Sequence, residues 1–211
     1  MSEGDSVAAM TAPQNMRGLV DRYAGALAAA LRSPAMDAVP ALGEALRDCW
    51  RDGHAVYLCG NGGSAGNAIH LANDFLYGAG VTSGAGLKAE ALSANPAVLT
   101  CLANDLGYEE IYAQQLRVKA APGDVLIVLS GSGDSPNVIK ALEVGAQLGM
   151  TTFAILGFTG GRCKALAGRA IHFAIDDMQI AEDLQLIVGH ICMRWLCANP
   201  LTQAARPAAA G

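Results

Sequence analysis

The sequence predicts an α/β fold in which a doubly wound parallel sheet of five strands carries helices on both faces and follows two N-terminal helices. Short apolar runs of strand length alternate with segments of helical periodicity. Four of the runs are largely apolar, as expected for parallel strands buried on both faces, and the fifth, KAEAL, predicts a weaker strand. The predicted strands are AVYLC (55–59), KAEAL (88–92), DVLIVL (124–129), TTFAIL (151–156) and IHFAI (171–175). This rhythm is typical of βαβ units.

The helices at the two ends of the chain are unusually apolar. Helical spacing of apolar residues predicts a first helix over 16–31, and a second is expected over 37–51 in spite of Pro40. The last helix, over 179–197, is apolar on most of its surface. These helices would bury more surface than one small sheet can cover, so we expect a homotetramer with a helical core between subunits. The alternative is that they only cap one face of a monomer.

The helix predicted after the strand DVLIVL has recognisable ends. In the segment DSPNVIKALEVGAQLG, Ser135 can cap the helix, Pro136 suits its first position, and Gly149 ends it.

Composition excludes several classes of function. The chain has 211 residues, 52% of them hydrophobic and 16% charged, with a net charge of -5 and no run of Lys or Arg, so neither nucleic acid nor membrane is an expected partner. One domain over 15–198 is expected, with disordered tails at 1–14 and 199–211. The six cysteines stand singly in apolar segments, which indicates reduced core residues, and the first fourteen residues lack an export signal. We therefore expect a cytoplasmic protein.

Two predicted strands are followed by similar glycine-rich loops. GNGGS follows VYLC, and SGSGDS follows DVLIVL. Each loop offers glycines for close backbone approach, hydroxyl groups, and a helix N-terminus that favours an anion. One such loop alone could be merely a tight connection, but two in one sheet favour anion binding. Gly60, Gly62 and Ala65 also match a dinucleotide pattern loosely, with Glu90 as a ribose partner, although this leaves the second loop unexplained.

Histidines and carboxylates occur on two predicted helices. His70 and Asp74 share a face of the helix after the first loop. The last helix places Glu182, Asp183 and His190 in an apolar run, where charged groups need partners. Two histidines and two carboxylates could form a tetrahedral zinc site or a metal-free acid–base pair. Spacing alone does not choose between Glu182 and Asp183, and His70 with Asp74 could be a surface pair.

Together these motifs resemble a known family. GNGGSA, LANDLGYEEIYAQQL, GDVLIVLSGSGDSPNVIKAL, GFTGG and the final GH occur in the order found in sugar isomerase (SIS) domain proteins, and within them in the phosphoheptose (sedoheptulose 7-phosphate) isomerases. The resemblance covers about residues 16–196. It implies a flavodoxin-like sheet of five parallel strands, a homotetramer, and a phosphorylated sugar, a heptose phosphate, as the bound partner.

The resemblance also assigns roles to individual residues. The positions that match the sugar-contacting residues are Asn61, Gly62, Gly63, Asn104 and Asp105. Those that match the phosphate loop are Ser130, Gly131, Ser132 and Ser135. The four zinc-ligand positions are His70, Asp74, Glu182 and His190, with one zinc ion expected per subunit. In the family the second and fourth of these also act as base and acid, which makes Asp74 and His190 the implied catalytic residues.

The sequence departs from the heptose isomerases at several of these positions. Asp74 stands where Glu is usual, Glu182 where Gln is usual, and Gln185 where His is common, and the phosphate loop reads Ser-Gly-Ser instead of Ser-Thr-Ser. The expected activity is isomerisation of sedoheptulose 7-phosphate to D-glycero-D-manno-heptose 7-phosphate through an enediolate. The alternatives are a non-catalytic tetramer, as in relatives that bind the replication initiator, and a sugar-phosphate sensor.

Overall fold

The computed structural model describes residues 15–81 and 84–201, and its centre is one sheet of five parallel strands in the order β2-β1-β3-β4-β5. The strands are β1 (Ala55–Gly60), β2 (Lys88–Ala91), β3 (Val125–Ser130), β4 (Thr151–Leu156) and β5 (Arg169–His172). The predicted fold class is confirmed.

Helices cover both faces of the sheet. Within the described ranges they are α1 (Met16–Ala30), α2 (Val39–Asp52), α3 (Gly63–Leu76), α4 (Pro96–Leu106), α5 (Ala113–Lys119), α6 (Pro136–Gln147), α7 (Cys163–Leu166) and α8 (Met178–Ala198). Two of them precede β1, as predicted. The short 3₁₀ helix Pro34–Ala38 connects α1 to α2.

The ends of the predicted helices have clear local causes. Pro40 lies in the first turn of α2, where a backbone N–H has no partner within the helix, so the helix tolerates it. Pro136 occupies the same place in α6, and Ser135 precedes it as the cap residue. Gly149 follows the end of α6 with φ of 74°, which is the usual way for a helix to stop.

The last strand differs from its predicted range. We expected it at 171–175, whereas β5 spans Arg169–His172. Its neighbour β4 sets these limits, because Phe153 pairs with Arg169 and Leu156 pairs with His172. Beyond that point β4 has ended, so the chain has no ladder to continue.

The sheet separates two apolar cores. On β1, Val56 and Leu58 face the side covered by α2, α3 and α8, whereas Tyr57 and Cys59 face the side covered by α5 and α6. This alternation is the ordinary period of a strand. Helix α1 packs against the first side through partly buried residues such as Tyr23 and Leu27.

The topology determines where a ligand can bind. The chain leaves β1 towards β2 on one side, and β3 pairs with β1 on the other. The connections after β1 and β3 therefore diverge beyond the carboxyl ends of two adjacent strands, which is where doubly wound sheets bind ligands. Both glycine-rich loops lie at this point.

The predicted tails lie outside the described residues, except for residues 199–201. Leu201 is buried in the core on the α8 side of the sheet. The single domain over 15–198 stays a prediction. No helix in the described ranges combines the length and the apolar character needed to cross a membrane.

The cysteines agree only partly with the prediction of core residues. Burial raises the pKa of the Cys49 and Cys192 thiols to about 12, so these thiols are protonated at neutral pH. Cys59 and Cys163 are also buried. Cys101 is exposed instead, because it lies on the outer face of α4, where its thiol donates to Asp105 Oδ2 at 3.5 Å.

Candidate active site

A reciprocal pair of amides joins the two glycine-rich loops. Asn61, at the end of β1, donates from Nδ2 to Asn137 Oδ1 at 2.9 Å, and Asn137 Nδ2 donates back to Asn61 Oδ1 at 2.8 Å. Asn137 lies in the first turn of α6 and is fully buried. The pair holds the start of α3 and the start of α6 at a fixed separation. Tyr108 Oη donates to Asn61 Oδ1 at 3.2 Å and adds a third contact.

The second loop presents hydroxyl groups around a tight turn. Ser130 is the last residue of β3, and its Oγ accepts from the Gly133 backbone N–H at 3.0 Å. Gly131 is buried after it, and Ser132 is exposed. Ser135 precedes α6 without using its side chain to cap the helix. The predicted phosphate residues thus surround the N-terminus of α6, whose unpaired amides favour an anion.

The predicted sugar-contacting residues are only partly brought together. Gly62 and Gly63 lie with Asn61 at the start of α3. Asn104 and Asp105 lie at the exposed end of α4, where Asn104 Nδ2 donates to Asp105 Oδ1 at 2.8 Å. In the part of the chain that the structure describes, no hydrogen bond links this pair to the two loops. The contact from Tyr108 to Asn61 is what brings the turn after α4 to the first loop.

His70, Asp74 and His190 form a cluster between α3 and α8. The two Nε2 atoms of the histidines are 2.9 Å apart, and their rings meet edge to face with centroids 5.1 Å apart. Asp74 Oδ2 lies 3.5 Å from His70 Nε2 and 3.4 Å from His190 Nε2. These are the group of metal-ligating side chains found among the described residues. About half of each histidine side chain is exposed, at 50% for His70 and 45% for His190.

The geometry of this cluster fits a divalent metal ion. Bonds of about 2.0–2.1 Å to a tetrahedral zinc place neighbouring donor atoms about 3.3 Å apart, close to the three separations in the cluster. Two imidazoles and one carboxylate are also a common set for a catalytic zinc, which keeps a further position open. The same three groups could exchange protons without a metal, so the arrangement supports acid–base chemistry in either case.

Glu182 lies apart from this cluster. A methyl group added at Gly63 would overlap its carboxylate. The Glu182 side chain would have to move to make room for any larger residue at this position. The carboxylate lies beside the N-terminus of α3, a favourable place for negative charge. As a fourth metal ligand Glu182 stays a prediction.

Asp183, the other carboxylate considered on α8, has a different partner. Tyr23 on α1 donates from its hydroxyl to Asp183 Oδ2 at 2.5 Å. This hydrogen bond to Asp183, with burial, raises the pKa of Tyr23 to about 12. Asp183 thus connects α8 to α1, in keeping with its place next to the N-terminal helices.

The sequence alone did not identify the residues that hold the predicted site residues and their helices in place. Asn137, Tyr108 and Asn67 all contact predicted site residues or their helices. Asn137 and Tyr108 both lie within the motifs that resemble the SIS proteins, yet nothing in their local spacing identifies their partner. Asn61 is 76 residues from Asn137, so only the pairing of β1 with β3 brings them together.

Comparison with known proteins identifies the family. A family model described as a SIS domain matches residues 22–157, more than half of the chain. The chain belongs to the SIS domain family. Among its relatives, the phosphoheptose isomerase of Chlorobaculum tepidum is 41% identical over 160 residues, which cover 74% of this chain and 75% of the relative. That of Helicobacter pylori is 40% identical over 136 residues, covering 64% of this chain and 70% of the relative.

Solved structures of SIS domain proteins support the same assignment. A phosphoheptose isomerase from Neisseria gonorrhoeae is 25% identical, with a TM-score of 0.71 over 85% of this chain and 99% of that chain. One from Francisella tularensis shares the fold, with a TM-score of 0.80 at 23% identity over 87% of this chain and 96% of that chain. The predicted family and the isomerase class are confirmed.

Proposed function

We propose that this SIS domain protein converts sedoheptulose 7-phosphate to D-glycero-D-manno-heptose 7-phosphate. The observation that carries the proposal is the cluster formed by His70 and Asp74 of α3, the helix that starts at the first ligand loop, with His190 of α8. His70 is seven residues into α3 from Gly63, about 10 Å along the helix axis. This span suits a phosphorylated sugar held by its phosphate at the loops and by its reacting carbons at the cluster. The names of the relatives point to the same substrate class.

The phosphate end is assigned to the second loop. Ser130, Ser132 and Ser135 offer hydroxyl groups around the N-terminus of α6, and the Ser135 hydroxyl is not used as a helix cap. Binding energy gained here orients the rest of the sugar and need not come from the reacting carbons. Asn61, Gly62 and Gly63 would contact the sugar from the first loop, with Asn104 and Asp105 at the exposed side.

The reacting end is assigned to the cluster. Asp74 takes the proton from the carbon next to the carbonyl, and His190 exchanges a proton with the oxygen or the adjacent carbon, so the sugar passes through an enediolate. His70 holds the other two groups in place. A zinc ion bound by His70, Asp74 and His190, with Glu182 as the predicted fourth ligand, would polarise the carbonyl and its neighbouring hydroxyl. One zinc per subunit is proposed.

The remaining proposals concern the whole protein. A homotetramer is supported by the apolar side chains that α1, α3 and α8 leave exposed in a single subunit. A cytoplasmic location stays a prediction from the unpaired cysteines.

The proposal is tested by metal analysis and by NMR of sedoheptulose 7-phosphate with the zinc-loaded and the chelated protein. We expect about one zinc per subunit and formation of heptose 7-phosphate that chelation abolishes. Bound zinc without turnover of this sugar would retain the isomerase and reject the substrate. Turnover that survives chelation would reject the metal. If the protein neither bound zinc nor converted the sugar, the result would favour the non-catalytic scaffold.

A further inference from the structure

Helices α3 and α8 pack side by side in the same direction along one seam. Near its start, the Glu182 carboxylate touches Gly63 and the Gln185 side chain reaches Ser64. Further along, Gly189 lies so close to Leu71 that a methyl group on Gly189 would overlap the leucine side chain. The contacts on both helices advance together from their N-terminal to their C-terminal ends. His70 and His190 meet on this seam.

The first part of the seam contains a polar clamp, formed by Asn67 of α3 and Gln185 of α8. Asn67 Nδ2 donates to Gln185 Oε1 at 3.0 Å and to the backbone carbonyl of Glu182 at 2.9 Å. Gln185 Nε2 donates to Ser64 Oγ at 3.0 Å. Gln185 is only 1% exposed, so both ends of its amide depend on these partners.

Directional bonds of this kind fix how far one helix is shifted along the other. Apolar packing alone tolerates small sliding, whereas a buried amide with a donor and an acceptor engaged does not. Gln185 precedes His190 by five residues, about 7.5 Å along α8, and Asn67 precedes His70 by three, about 4.5 Å along α3. A displacement of α8 by a fraction of a turn would carry His190 Nε2 out of reach of His70 and Asp74.

We infer that Asn67 and Gln185 are positioning residues that hold α3 and α8 in the register that brings His70, Asp74 and His190 together. Among the described residues the clamp makes no hydrogen bond to these three side chains, and it acts through the helices that carry them. The inference rests on the proposed function for the role of the cluster. The part that concerns the register of α3 and α8 depends only on the contacts of the clamp.

We expect loss of the clamp to affect the reacting end of the proposed site more than the phosphate end. The second loop, to which phosphate is assigned, is joined to the first loop by Asn61 and Asn137, and neither of these amides is hydrogen-bonded to the clamp. Loss of the clamp should therefore lower metal affinity by about 10- to 100-fold, as losses of groups that orient metal ligands do. It should lower kcat while leaving KM and inhibition by inorganic phosphate little changed.

The test compares Gln185→Met with a matched control, Gln115→Met. Each substitution removes a buried amide but preserves most of the side-chain volume. Gln115 is 4% exposed, lies on the other face of the sheet, and donates from Nε2 to the backbone carbonyls of Leu92 and Ile111. Both variants lose hydrogen bonds of similar kind, so both should lose stability. A milder third variant, Asn67→Ala, leaves the contact from Gln185 to Ser64 intact and decides the matter if Gln185→Met does not fold.

Two measurements are made on each protein. The first is zinc affinity, from competition with a chromophoric chelator. The second, without metal, is the nuclear Overhauser effect (NOE) between the ring protons of His70 and His190, using histidine-labelled protein, since the chain has only four histidines to assign. We expect the wild type and Gln115→Met to show both tight zinc binding and the NOE, and the clamp variants to lose both.

If Gln115→Met and Gln185→Met lost zinc affinity and the NOE equally, the effect of the clamp would be one of general stability, and the inference would be overturned. Clamp variants that keep both signals would also overturn it. An NOE absent from the wild type would overturn it as well. A wild type that shows the NOE but binds no zinc would reject the proposed metal. The positioning role of the clamp would then be supported if the clamp variants lose the NOE and Gln115→Met keeps it, and rejected if the clamp variants keep it.

Discussion

His190 lies within reach of both other members of the cluster. Its Nε2 atom is within 3.4 Å of the Asp74 carboxylate and within 2.9 Å of His70. We expect His190→Gln to lower turnover by about 10²- to 10⁴-fold, because a glutamine cannot transfer a proton at neutral pH. The side chain is half exposed, so the fold should survive. Turnover is measured by the NMR assay and folding by circular dichroism.

The control for this variant is His54→Gln. His54 immediately precedes β1 and so lies at the opposite end of that strand from the first loop. The His54→Gln substitution should leave turnover within about twofold of the wild type. Substantial activity in His190→Gln would remove His190 from the chemistry, whatever the control shows.

Asn137 supports the phosphate end of the site without being one of its predicted contacts. In Asn137→Ala, the Asn61 side chain loses two hydrogen bonds, and the two loops are no longer held at one separation. We expect KM for the sugar phosphate to rise by roughly tenfold, since a net hydrogen bond contributes about 1 kcal/mol. The inhibition constant of inorganic phosphate should rise in parallel, while kcat changes less.

Asn199→Ala provides the comparison, because it removes an exposed amide that donates to the Trp195 backbone carbonyl at the far end of α8. Its KM should match the wild type. If Asn137→Ala changed kcat and left KM and phosphate inhibition unaltered, the amide pair would belong to the reacting end instead.

Single residues of the site were predictable to different degrees. His70 and Asp74 are four apart on one helix, so their shared face follows from helical geometry. Their meeting with His190 depends on how α8 packs on α3, which spacing along the chain does not determine. For the same reason spacing left the choice between Glu182 and Asp183 open. The structure places Asp183 beside Tyr23 and Glu182 beside Gly63, and Glu182 as a ligand stays a prediction.

At the scale of elements, the turn after α4 is fixed by one carboxylate between two cations. Glu110 accepts from Arg117 of α5 at 2.8 Å and forms an ion pair with Lys140 of α6. Hydrogen bonds from Lys140 and Arg117 hold the pKa of Glu110 below its usual 4.5. The turn carries Tyr108, so this ion network also supports the contact with Asn61.

Glu110→Gln should reduce the free energy of unfolding by about 0.5–1 kcal/mol at pH 7, a modest value because solvent screens the pairs. Since the folded pKa lies below the unfolded one, the stabilisation is complete above pH 4.5 and is lost as pH falls through the folded value. The difference between wild type and variant should therefore shrink at acid pH. Urea unfolding at pH 7 and at pH 3 measures it, with the exposed neighbour in Glu109→Gln as control. A difference independent of pH would contradict the electrostatic origin.

Element boundaries were predictable where the cause is local and not where it is tertiary. The start of α6 at Pro136 follows from residues within one turn, and Pro40 fits α2 because the preceding 3₁₀ helix moves the start of the α-helix to Val39. The end of β5 was misplaced by three residues, since it depends on where β4 stops. No periodicity in β5 itself contains that information.

At the scale of the whole molecule, one subunit leaves a large apolar surface on the helices outside the sheet. A cavity of about 370 Å³ opens between α2 and α8, lined mainly by Met36, Val39, Pro40, Gly43, Ile191 and Trp195. Further exposed apolar side chains lie on α1 and α3, among them Met16, Val20, Ile69 and Leu76. Surfaces of this kind usually mark contacts between proteins. The side chains named here belong to helices on one face of the sheet, as an interface between subunits would require, and the homotetramer stays a prediction.

Trp195→Glu places a charge on this surface and should weaken assembly, since a buried unpaired carboxylate is costly. The wild type should have a mass of about four times 21.6 kDa by light scattering, and the variant a lower one. Val118→Glu is the matched control, because Val118 is exposed on α5 on the other face of the sheet. A wild type of single-subunit mass would reject the tetramer.

Ile191, which lines the cavity, directly follows His190, so a variant that dissociates should also bind zinc less tightly. Zinc affinity unchanged in the dissociated variant would show that each subunit holds its site alone.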